Sequence, residues 1–152
     1  MQQFPASNID DYGPRNASEL CDVLRERVQA GETLHEVGAN DALVGVIGFQ
    51  QITPRLGLFR GICFDRGVHG SGIPAMAVRQ FLHERFGEGT EKIQAFYFAS
   101  NHRVRAFLKK LGAVDEGYLS RQTLVKGKPA DMRLVAFHAK AVSSSSANKE
   151  GR

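Results

Sequence analysis

Between an apolar run ending at Phe64 and a helical pattern opening at Pro74, the chain reads Asp65-Arg66-Gly67-Val68-His69-Gly70-Ser71-Gly72. Strand, glycine-rich loop and helix in that order make an anion cradle. Gly70 and Gly72 can turn backbone N–H groups towards one point with no Cβ in the way, and the first N–H groups of the following helix have no intrahelical partner. Together with the positive end of the helix dipole, those donors suit a phosphate or pyrophosphate. Two common phosphate-binding loops do not fit. No Lys-Ser or Lys-Thr pair follows the glycines, and Ala75 stands where a G-x-G-x-x-G fingerprint needs its third glycine.

A second group of reactive residues follows the apolar run Ile93 to Ala99. Ser100 carries a hydroxyl, and Asn101 either caps the next helix or offers its amide to a ligand. Beyond them His102, Arg103, Arg105, Lys109 and Lys110 surround the apolar positions Val104, Phe107, Leu108 and Leu111. Cys21 and Cys63 have no metal-ligand spacing, so no metal is expected, and they read as reduced thiols.

The elements that position these groups follow from the changing period. A helix is predicted over about Ala17 to Ala30, preceded by Asn16 and Glu19 as a capping pair and stopped by Gly31. Three antiparallel strands are predicted at Thr33 to Val37, Leu43 to Ile52 and Leu58 to Phe64, with Asn40-Asp41 and Pro54 to Gly57 as turns. A helix from Pro74 to about Phe86 presents Ala75, Ala77, Val78, Phe81, Leu82 and Phe86 on one broad side. Ile93 to Ala99 is almost continuously apolar, the mark of a central strand covered on both faces. Two more strands, about Ala113 to Arg121 and Met132 to Ala139, are joined through Lys126 to Pro129. Met1 to Arg15 reads as an irregular arm. One domain is expected over residues 1–142, and the serine-rich tail, residues 143–152, as disordered.

His69 to Ala77, HGSGIPAMA, resembles the coenzyme A pyrophosphate loop of the GNAT superfamily of N-acetyltransferases. Asn101 to Ala113 resembles that family's Asn-x-x-Ser/Ala…Lys-x-Gly-Phe segment. Glu116-Gly117-Tyr118 with Gly127-Lys128 and Asp131 is similar to the end of its ribosomal-protein N-terminal acetyltransferase branch. The similarity covers about residues 33 to 138. It implies an α+β fold with a mixed, mostly antiparallel sheet flanked by helices, here with a shortened amino-terminal segment. His69, Pro74 and Ala113 depart from the family's usual residues, and Leu108 stands where many members carry a Tyr as general acid.

The resemblance further implies an acetyl-CoA-dependent N-acyltransferase in which an amine attacks the thioester directly. Ile62, Cys63 and Phe64 would line the pantetheine arm; His69, Gly70, Ser71, Gly72 and Ile73 would meet the pyrophosphate. Asn101, Arg105 and Lys109 are further cofactor candidates. Ser100 is the candidate proton donor to the thiolate, and Glu36, Asp65 or His69 could deprotonate the amine. The acceptor is a protein or a small molecule, and a homodimer could complete its site. The competing class is a non-catalytic coenzyme-binding or basic module using Arg103, Arg105, Lys109 and Lys110.

Composition bears on the choice. Twenty Lys+Arg against sixteen Asp+Glu gives a net charge of +4, which favours an anionic ligand and is too mild to demand nucleic acid. No apolar run suggests a membrane span or signal peptide, and a cytoplasmic location is expected.

Overall fold

A computed structural model of the chain describes residues 17–140. The amino-terminal arm, the Asn16 cap and the serine tail lie outside them. In chain order the elements are α1 (Ala17–Gln29), β1 (Glu32–Ala39), β2 (Ala42–Gln51), β3 (Leu56–Phe64), α2 (Ile73–Gly87), β4 (Lys92–Phe98), α3 (His102–Lys110), β5 (Val114–Val125) and β6 (Lys128–His138). They build the expected mixed sheet, ordered β1-β2-β3-β4-β6-β5. Every pairing is antiparallel except β3 with β4, which α2 connects.

Several strands run longer than their apolar patterns, because the turns are tighter than composition suggests. Asn40 and Asp41 both take left-handed conformations, φ 51° and 61°, so two residues suffice and pairing continues to Ala39 opposite Ala42. Lys126 and Gly127, φ 50° and 73°, close the second hairpin in the same way. Pro129 therefore lies inside β6, opposite Leu124. It costs no bond to β4, whose ladder with β6 ends at Phe98 opposite Met132.

One expectation is corrected. The apolar run of β4 is not covered on both faces: Ile93, Ala95 and Tyr97 are buried, while Phe96 between them is 42% exposed. Val78, Phe81 and Leu82 of α2 and Leu108 of α3 join the buried cluster with Ile93, Ala95 and Tyr97, so both helices lie on that face. Phe81 stacks edge-on against His35 of β1, whereas the neighbouring Glu32 bonds Arg27 of α1; α1 therefore covers the opposite face at the β1 end. The core centres on Phe59, Phe81 and Phe137, with Phe59 and Phe137 rings edge to face at 6.1 Å.

Candidate functional site

The glycine loop is held by its own side chains. The Asp65 carboxylate accepts from the Gly67 N–H at 2.8 Å and caps a single 3-10 turn, Arg66–Val68. His69 Nε2 lies 3.1 Å from the Phe64 carbonyl, which can only accept, so that ring nitrogen carries the proton. The Ser71 hydroxyl donates to the Val68 carbonyl at 2.6 Å. Asp65 and His69 are thus committed to the loop, while Glu36 is exposed on β1.

What this scaffold leaves open is the cradle. Gly70 and Gly72 have φ of 78° and 85°, and a Cβ built on either would meet no atom within 4 Å. The N–H groups of Gly70, Gly72 and Ala75 donate to no backbone carbonyl among the described residues. Pro74, the second residue of α2, withholds one further donor. An anion seated there would meet backbone donors and the α2 dipole with little steric hindrance.

Beside the loop the sheet splits. The β3–β4 ladder holds only Leu56, Gly57 and Leu58 against Lys92, Ile93 and Gln94. The cause is a bulge: Phe49 pairs with Phe59 but Gly48 pairs with Gly61, leaving Arg60 as an extra residue. A bulge bends and twists its strand, and here it carries the end of β3 away from β4. Asp65 N–H bonds the Val44 carbonyl, so by alternation Cys63 also turns its backbone towards β2. Ile62 and Phe64 then direct theirs into the gap. Burial pushes the Cys63 thiol pKa up and Asp65 adds to it, which holds the group neutral.

At the far side of the gap Asn101 Oδ1 accepts from the Val104 N–H at 3.2 Å and caps α3. Its amide nitrogen takes no part in that cap. Ser100 is exposed and, with Phe98, Asn101, His102, Arg103, Val125 and Ala130, lines a shallow hollow of about 510 Å³. Arg105 is half-buried and Lys109 exposed on α3. A residue missed by sequence reading is Tyr97: it is 5% exposed, and its hydroxyl is buried with no hydrogen-bond partner among the described residues. Burial raises its pKa, as does Asp115, against Arg133 and Arg105. Among the described residues no group of three or more His, Cys, Asp or Glu is placed to hold a metal ion.

The model of the acetyltransferase (GNAT) domain family matches residues 5–114, which include the loop, the split and the Asn101 turn. The chain belongs to the GNAT acetyltransferase family. The match begins at Pro5, so it takes in residues 5–15 of the arm read as irregular. This GNAT chain is similar in fold to spermidine N-acetyltransferase from Vibrio cholerae solved with CoA and spermine. The TM-score is 0.73 and the identity 18%, over 86% of this chain and 79% of that one. A probable GNAT acetyltransferase from Chromobacterium violaceum superposes with a TM-score of 0.77 at 20% identity, over 87% of this chain and 73% of that one. No curated protein matches the sequence.

Acetyl-CoA is the acyl donor of GNAT enzymes, and the residues here fit it: open glycines and unpaired donors for the pyrophosphate, and a splayed end of β3 outside the β3–β4 ladder for the pantetheine arm. The two demands on Asn101 can be separated. Asn101→Asp keeps an acceptor for Val104 and suits the helix amino terminus, so the melting temperature should hold. It loses the amide donor and sets a carboxylate near an anionic ligand, so coenzyme A affinity should fall about 10-fold by calorimetry.

Proposed function

We propose that this chain transfers the acetyl group of acetyl-CoA to the primary amine of a small molecule, by direct attack in a ternary complex. The observation that carries the reading is the split between β3 and β4 next to an open glycine loop. Bound acetyl-CoA supplies an activated acetyl thioester; the protein's part is to bind, orient and move protons. Gly70, Gly72 and Ala75 offer N–H groups to the pyrophosphate, with Ser71, His69 and Ile73 fixing the loop around them. Ile62, and Phe64 through its N–H, offer backbone groups to the pantetheine arm, and Cys63 shapes the strand between them. Arg105 and Lys109 add positive charge on α3.

For the proton that a departing thiolate needs, two hydroxyls belong to this end of β4, Ser100 and Tyr97. Tyr97 is the better candidate. Its buried hydroxyl has no hydrogen-bond partner among the described residues, and the raised pKa keeps it protonated. Tyr97→Phe should then lower kcat about 100-fold with KM for acetyl-CoA unchanged, while Ser100→Ala stays within about threefold. The reverse pattern returns the role to Ser100.

A small amine is favoured as acceptor by likeness in fold to spermidine N-acetyltransferases, although a net charge of +4 disfavours long polycations. Incubation with acetyl-CoA and a mixture of monoamines, spermidine and peptides with free α-amines, read by mass spectrometry, tests the class. Acetylation of a small amine is expected. Modification of the peptides alone would move the chain towards protein N-terminal acetylation.

A further inference from the structure

The extra residue of the β3 bulge is gripped from the α1 face. Glu32, the first residue of β1, is 4% exposed. Its carboxylate accepts from Arg27 Nε and Nη2, both at 2.5 Å, and lies 3.9 Å from Arg60 Nε. Arg27 Nη2 also donates to the Arg60 carbonyl at 2.7 Å. The one residue of β3 with no partner on β2 in that stretch thus has both its backbone and its side chain tied to the part-buried pair of Arg27 and Glu32. Gly48 makes the room, since a Cβ there would stand 2.6 Å from Glu32 Oε1.

A bulge is a register choice. Closing it up would slip the rest of β3 by one residue along β2, which reverses which backbone groups face β2 and which face the gap. Ile62 and Phe64 would then turn their N–H and C=O groups away from the gap. Pinning Arg60 blocks that slip. The fork of Arg27 is suited to it, because a planar guanidinium can hold a carboxylate bidentately while a second contact fixes a carbonyl.

We propose that Glu32 and Arg27 are positioning residues for coenzyme binding: by locking the bulge at Arg60 they hold β3 splayed from β4 and keep the Ile62 and Phe64 backbone turned into the gap. The pair acts through the strand and touches no ligand. This rests on the gap being the coenzyme's seat.

The test compares the parent with Glu32→Gln, Gly48→Ala and the double variant, with three readouts: calorimetric affinity for coenzyme A, melting temperature, and amide exchange of residues 60–64 in the free protein. Gly48→Ala displaces the flexible end of Glu32 and leaves its charge intact. Each single variant should weaken coenzyme A about 10-fold, and the double variant should be no worse than the weaker single, as expected for residues in one network. Exchange at residues 60–64 should quicken in the free protein while exchange in β6 does not. If Glu32→Gln does not fold, Arg27→Lys takes its place. Coenzyme A affinity within about twofold of the parent, with only the melting temperature lowered, would overturn the proposal. A parent that binds no coenzyme A would instead overturn the reading of the gap, with amide exchange still deciding whether the pair locks the bulge.

Discussion

Replacing Gly72 by Glu should abolish measurable coenzyme A binding while leaving a folded protein. Gly72 has φ 85°, a conformation that costs a side-chain-bearing residue about 1–2 kcal/mol, and the new Cβ would meet no neighbour. The fold can absorb that strain. The ligand site cannot absorb the carboxylate: it enters the space above unpaired amides at the start of α2, where the pyrophosphate needs them, and opposes it with like charge. A loss of at least about 100-fold in affinity is expected, against a melting temperature lowered by only a few degrees, roughly 5 °C. Gly72→Ala separates the two causes. It carries the strain without the charge and should keep most of the affinity.

The largest effect on stability should come from Phe137→Ala. Phe137 is fully buried, pairs across the sheet with Ile93 and packs edge-on against Phe59. Truncation removes the ring that joins the β4–β6 half of the sheet to the β3 half, where the ladder itself is only three residues long. Phe-to-Ala losses in cores run about 3–5 kcal/mol, a large part of the roughly 5–15 kcal/mol that holds a domain. Denaturant unfolding should show a midpoint shift of that size with little change in slope. A loss under about 1 kcal/mol would mean that the split is bridged by other contacts.

Much of the candidate site's geometry was legible from residue chemistry because it rests on local backbone conformation. Gly70 and Gly72 announce left-handed φ, Pro74 announces a helix start, and Asn101 announces a cap; each needs only its neighbours in sequence. The bulge at Arg60 depends on register between strands, which local chemistry does not state. Its trace was present all the same: Phe59, Ile62 and Phe64 are core-side residues spaced by three and then two, a break in strand alternation at Arg60-Gly61. Glu32 reads as an ordinary strand-edge carboxylate until Arg27 and Gly48 are seen to enclose it. Tyr97 was hidden inside an apolar run, where only burial of its hydroxyl separates it from Phe96 and Phe98. The apolar run also suggested two covered faces, because apolarity alone does not say how many helices arrive.

The most direct measurement of the central claim is thiol release from acetyl-CoA by the purified chain, with and without a small primary amine, with product counted in parallel by mass spectrometry. Release that depends on the amine, matches N-acetylated product one for one and disappears in Gly72→Glu is the expected result. Coenzyme A binding without release for any amine in the panel would contradict it and leave a coenzyme-binding module on an acetyltransferase fold.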